Sequence, residues 1–196
     1  MPRIASEIEE FARTLADNEM RRQFLEARKI FLWGAVTDES SEKLVKELMY
    51  LTEADAKKEI TFYINSPGGV ISAGLAVYDA IQMIEAPVRT ICTGQAASMG
   101  AVLLTCGAPG LRGAWEHARI MIHQPLISGR MYAPTSDLEI QAEEMLRVRG
   151  ELNEILSRHT GAKVEQIEKD TDRDNFMTSE EAKGYGLLDY VVGRES

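Results

Sequence analysis

Residues 59–94 read "EITFYINSPGGVISAGLAVYDAIQMIEAPVRTICTG", and the fold class turns on how this stretch is divided. Residues 59–66 alternate as a half-buried strand does, and Pro67, Gly68 and Gly69 close the run. Residues 70–86 are apolar almost all round, which predicts a buried helix. Residues 88–94 form a second strand. A strand, a helix and a strand in that order make a crossover unit, whose two strands lie parallel.

The alternation continues on both sides. Upstream, a short buried strand is predicted at 30–34 and a capped helix at 37–55, with Leu44, Leu48 and Leu51 on one face. Residues 5–29 read as a weakly amphipathic helix. Downstream come a short apolar helix after Ser98, a glycine-rich turn at 107–113 and a strand at 118–125. Repeated strand–helix units predict an α/β layered domain with a largely parallel sheet. The chain has 196 residues, 44% hydrophobic and 27% charged, which suits one globular domain.

The net charge of -9 is spread along the chain, and no basic stripe is present, so a nucleic-acid partner is not expected. The first residues, "MPRIASEIEEF", are acidic and lack the apolar core of a signal peptide. Cys92 and Cys106 read as buried, reduced thiols, and the expected location is cytoplasmic. From Thr90 to Leu111 no residue is charged, a length that could span a bilayer. Gly94, Gln95, Ser98, Gly100, Pro109 and Gly110 within it fit a strand, a turn and a buried helix better.

Residues 136–161 stand apart. Ser136 with Glu139 forms a capping-box pattern and Gly161 a terminator, which predicts a helix of about 24 residues, roughly 36 Å long. A domain of this size has a radius of gyration of about 16 Å. Leu138, Ala142, Met145, Val148, Leu152, Ile155 and Leu156 repeat at near-heptad spacing. We read the stripe as an oligomer contact in preference to a long core helix, because the short strands offer little surface to cover it.

Ser98 follows a strand and opens an apolar helix, in "TGQAASMGAVLLTCG" (93–107). Serine at such a place is most often a cap. A nucleophile needs in addition a base in hydrogen-bond reach and donors aimed at the developing oxyanion. The turn resembles a nucleophile elbow, although Ala96 fills the first glycine position of G-x-S-x-G. His123 stands at the end of another strand, and parallel sheets gather functional groups at the carboxyl ends of their strands. His117 in a turn and His159 at a helix end read as structural. A third member that orients the imidazole would be a carboxylate. Asp170, Asp172 and Asp174 all lie in "EKDTDRDNF" (168–176), and spacing does not choose among them.

Taken together, "YINSPGGVISAGLAVYD", "TGQAASMGA", "RIMIHQP" and "DTDRDNFMTSEEAKGYGLLD" resemble the proteolytic subunit of the Clp protease, the ClpP serine peptidase family, over about Phe31 to Val192. The resemblance implies a crotonase-like α/β fold and a Ser–His–Asp triad of Ser98, His123 and Asp174. It implies oxyanion donors at the Gly69 and Met99 amides, and contacts between rings through Asp172 and Arg173. It further implies one peptidase domain: an N-terminal segment and helix at 1–29, a head at 30–132 and 160–196, and a handle helix at 133–159. Two stacked heptameric rings, a partner ATP-driven (AAA+) unfoldase and unfolded protein substrates follow from the same source, with no cofactor or metal in the subunit. No G-x-x-x-x-G-K-[ST] motif is present, so ATP would be used by the partner.

The chain departs from that family in three places. The residues 1–20 lack the usual apolar segment of the axial pore. Thr61, Met83 and Thr93 stand where many members present aromatic or methionine side chains to the unfoldase, and the loop "PLISGRMYAPTS" (125–136) is longer than usual. These departures suggest a divergent paralogue in a mixed assembly. The competing functions are a weakly active or non-catalytic ring subunit, and a crotonase-like acyl-CoA hydratase or isomerase.

Overall fold

The computed structural model describes residues 17–126 and 134–193. The described part of the first helix, α1, covers 17–26. There follow β1 (Lys29–Trp33), α2 (Asp38–Ala54), β2 (Ile60–Ser66), α3 (Ile71–Met83), β3 (Val88–Ala97) and α4 (Met99–Thr105). The second half adds β4 (Arg112–Trp115), β5 (Arg119–Ile122), α5 (Thr135–Thr160), α6 (Val164–Asp170), β6 (Asn175–Thr178), α7 (Ser179–Tyr185) and β7 (Tyr190–Val192).

The layered α/β architecture expected from the sequence is observed. Strands run in the order β1-β2-β3-β4-β7, each parallel to its neighbour. β3 is the longest strand and pairs twice on one side. Its first half meets β4 through Thr90↔Arg112, and its second half meets β5 through Ala96↔Ile120. β6 then pairs antiparallel to β5, the one reversal in an otherwise parallel set among the described strands. The overlong β3 thus carries the chain from the main sheet to a small second layer, and its last residue precedes Ser98.

β2 is buried at every second residue, with Ile60, Phe62 and Ile64 fully buried, so the alternation in the sequence marks a true two-faced strand. α3 is less enclosed than its composition suggested. Ala73, Gly74, Val77, Tyr78 and Ile81 are buried, whereas Met83 is 84% exposed. Its outer face carries Ser72, Ala76, Asp79 and Gln82 and ends in the exposed Met83. α2 starts at Thr37 with a capping box to Ser40, and its other end is capped from a distance. The buried Arg28, itself at positive φ (56°), donates to the carbonyls of Leu51, Asp55, Lys58 and Glu59 at 2.8–3.1 Å.

The long helix is present over 26 residues, about 39 Å at 1.5 Å each. Gly161 ends it in the left-handed conformation (φ 77°), as expected of a C-terminal glycine. The capping box at Ser136 does not form. Pro134, two residues earlier, takes the N-cap position, with no side-chain cap. Only its last third is buried, at Leu152, Asn153, Ile155 and Leu156; from Thr135 to Glu144 every residue is exposed. The turn at 107–113 gives way to β4, and the acidic run around 168–174 belongs partly to α6. No helix among the described residues is long and apolar enough to cross a membrane. Of the divergent residues 1–20 and the loop 125–136, residues 1–16 and 127–133 lie outside the described residues.

Candidate active site

Ser98 occupies the joint between β3 and α4. Its backbone is at φ 55°, ψ -125°, a region that residues with a Cβ rarely enter. It stands at the N-cap position, yet its side chain makes no capping hydrogen bond. The ordinary structural use of a serine here is thus absent, and a strained turn remains, of the kind that exposes a nucleophile. The Ser98 N–H is held by Met121 O at 2.8 Å, which ties the turn to β5.

The turn after β2 packs directly on this joint. Gly68 has φ 92°, and a Cβ there would stand 2.7 Å from both Ala97 O and the Ser98 Cβ, and 3.0 Å from Met99 N. Only glycine lets the two turns approach so closely. Gly69 follows, bridged to Val36. The N–H groups of Gly69 and Met99 donate to no described residue, as befits a first-turn helix amide and a loop amide beside it.

His123 follows β5 and Asp174 precedes β6. Because Ile122 pairs with Asn175 across the antiparallel ladder, these two flanking residues emerge opposite each other. His123 Nδ1 and Asp174 Oδ1 are 3.0 Å apart. An ionised carboxylate only accepts, so the imidazole donates from Nδ1 and keeps its Nε2 lone pair free. The imidazole is 12% exposed and the carboxylate 59%.

The other two aspartates are otherwise engaged. Asp170 accepts from Tyr185 Oη at 2.7 Å and from the Gln166 amide. Asp172 accepts on its main chain from Gln124 Nε2 at 2.7 Å, and its carboxylate lies 3.9 Å from both Arg149 and Arg173. Gln124 N–H also donates to Thr171 O at 2.6 Å, so the chain on either side of the His123–Asp174 pair is fixed.

Ser98 and His123 line one narrow cleft, of about 20 Å³, together with Ile71, Val102, Leu152 and Leu156. No hydrogen bond joins the hydroxyl to the imidazole in this conformation. Nucleophile–base contacts are commonly loose without substrate. A larger hollow of about 410 Å³ beside Phe24 and Trp33 contains none of these groups.

The remaining candidates fall away from the chemistry. Cys92 and Cys106 are buried, unpaired thiols pushed up to about 12 by burial, which keeps them protonated and unreactive. His159 bonds Tyr78 Oη at 2.9 Å, within the packing of α3 against α5. No cluster of three or more metal-ligating side chains occurs among the described residues. Asn153 also lines the cleft, a residue the sequence reading passed over because it stands inside a helical stripe. A polar residue next to Leu152, at a buried position of that stripe, was the available signal.

Fold and cleft together define an α/β protein whose serine, histidine and aspartate come to the ends of neighbouring strands. The family model described as Clp protease matches residues 13–195, nearly the whole chain, and the chain belongs to the Clp protease family. The sheet and the long helix are consistent with that membership, and the family is one of peptidases.

Proposed function

We propose that this chain is a serine endopeptidase, the proteolytic subunit of a Clp-type complex. The His123–Asp174 contact, made across the cleft wall that also carries Ser98 at its strained turn, is the observation that supports it most. Asp174 holds the imidazole in the tautomer with Nε2 unprotonated. Nε2 takes the Ser98 proton as Oγ attacks the peptide carbonyl, and later gives it to the leaving amine. The Gly69 and Met99 amides receive the negative charge on the carbonyl oxygen. Water then hydrolyses the acyl-enzyme by the same proton relay, run again with water as the nucleophile. The scheme calls for no metal or organic cofactor.

The substrates are unfolded polypeptides, delivered to a chamber of two stacked heptameric rings by an AAA+ unfoldase that uses the ATP. The exposed first turns of α5, with Asp172 and Arg173 beside it, supply the contact between rings, and a paralogous subunit shares the assembly. Enclosure restricts which proteins are cut in the cytoplasm. The open Ser98–His123 contact favours a second reading, in which the isolated subunit is weakly active and the relay closes on assembly.

A fluorophosphonate or β-lactone probe, followed by mass measurement of the intact complex, tests both. Labelling at Ser98, abolished in Ser98→Ala, is the expected result, with peptide turnover falling by about four orders of magnitude. Acyl-CoA hydration that survives Ser98→Ala would replace the peptidase with a hydratase.

A further inference from the structure

The Asp174 carboxylate is open to solvent. It is 59% exposed, and among the described residues His123 is its single hydrogen-bond partner. In the standard triad the carboxylate is buried, and its surroundings hold it. Here its aim depends on the main chain that carries it. That main chain is anchored at both ends. Behind it, α6 ends at Thr171, which is 1% exposed and directs its N–H and its hydroxyl to Ile167 O, at 2.9 and 2.8 Å. Ahead of it, Asn175 pairs with Ile122 across the ladder. Asp172, Arg173 and Asp174 lie between these anchors, outside any helix or strand.

Gln124 spans that gap from the histidine side. Its main-chain N–H donates to Thr171 O at 2.6 Å, and its side-chain Nε2 donates to Asp172 O at 2.7 Å. A carbonyl oxygen only accepts, so the NH2 end of the amide is the end that faces Asp172. The two bonds differ in what they ask of the sequence. Any residue but proline supplies the first. The second needs a side chain of this reach with a donor at its tip, and it acts two residues before Asp174.

We propose that Gln124 is a positioning residue of the proton relay: its Nε2 bond holds residues 172–174 so that the Asp174 carboxylate meets His123 Nδ1. This deepens the peptidase reading and rests on it. The Gln124 amide faces the segment that bears Asp174 and not the reacting atoms, so it acts through Asp174 alone. Two consecutive residues thus divide the work: His123 moves the proton, and Gln124 keeps its orienting partner in place. Without the Nε2 bond the segment from Asp172 to Asp174 is free to swing outward, since the carboxylate has no second partner to retain it. Displacing a catalytic group by about 1 Å costs about a hundredfold in rate.

The test is a double-mutant cycle on the assembled full-length protein. Gln124→Met keeps the length of the side chain and removes the donor. The parent, Gln124→Met, Asp174→Asn and the double variant are compared by hydrolysis of one fluorogenic peptide and by the rate of fluorophosphonate labelling at Ser98. Gln124→Met is expected to lower kcat by about a hundredfold with KM unchanged, and to slow labelling in parallel. Added to Asp174→Asn it lowers nothing further, because a residue that acts through another has no effect once that other is gone. Gln124→Glu cannot donate when ionised and sets a charge against Asp172 O and the Asp172 carboxylate, so it lowers kcat at least as far. It supplies the same comparison should the methionine variant fail to assemble. An equal loss in both backgrounds overturns the inference, since it marks a general disturbance of the fold. Undiminished turnover in the methionine and glutamate variants overturns it too. In either case the parent still labels at Ser98 and cleaves, and the peptidase reading stands. A parent that neither labels nor cleaves removes the peptidase reading, and this inference with it.

Discussion

Asp174 meets its partner through a single oxygen, with most of the carboxylate in solvent. Asp174→Asn preserves the shape of that contact but lets the amide donate toward Nδ1, which favours the tautomer protonated on Nε2. In the proposed peptidase that tautomer does not take the Ser98 proton. If Asp174 serves the proposed triad, peptide hydrolysis should drop by about 10⁴-fold with unchanged thermal unfolding by calorimetry. At this scale the placement of Ser98 and His123 just after strands was legible in the sequence. The aspartate was not. Three candidates fall within five residues, and the antiparallel pairing of β5 with β6 makes the choice by setting Asn175 opposite Ile122. Local spacing does not encode that long-range register. The absence of a cap at Ser98 was equally invisible, because a capping and a non-capping serine occupy the same sequence position.

Among the elements, α3 and α5 are joined by the Tyr78–His159 hydrogen bond and an edge-on ring contact. Burial holds the His159 imidazole below its ordinary range, helped by the nearby charges of Arg112 and Arg158. The unfolded chain therefore binds a proton that the folded chain refuses, between the ordinary histidine value of 6.5 and the lower folded one. This contribution to stability is complete above about pH 6.5 and is lost as the pH falls below it. Urea midpoints at pH 7.5 and 5.5 should separate less in His159→Gln than in the parent; an equal separation would contradict the assignment. Arg112 ties the same region together. It bonds His159 O and Gly186 O as well as the Asp189 carboxylate, at 2.5–3.0 Å. Burial acts to raise the Asp189 carboxyl, and the Arg112 guanidinium and main-chain N–H that donate to it overcome this and hold the group below its usual range. The sequence concealed this network, because β4 lies in a glycine-rich stretch that reads as a turn and β7 is three residues long. The first half of the fold was legible, its strands being longer and their periodicity clear. α2, β2 and β3 lie within three residues of their expected bounds.

The whole molecule is lopsided: a packed head bears a helix that leaves it. Leu138, Ile140 and Leu146 are 39%, 62% and 65% exposed along that helix. If α5 joins two rings, Ile140→Lys together with Leu146→Lys should convert a double ring to single rings in native mass spectra, with the subunit fold intact by circular dichroism. An unchanged mass would place the ring contact elsewhere. The sequence announced this helix through its stripe and its terminal glycine. It did not announce where the stripe stops being core, because the heptad spacing runs unbroken across the point where the head ends.

One consequence of that half-bare helix concerns time. The run from Thr135 to Glu144 is shorter than the roughly 12–15 residues an unsupported helix needs to persist in water. In a lone subunit its amides should trade hydrogen for deuterium quickly, while those near Leu156 stay shielded. Raising the protein concentration should slow only the first group. The strut would then harden when copies meet, and a deuterium clock could read that event without any substrate.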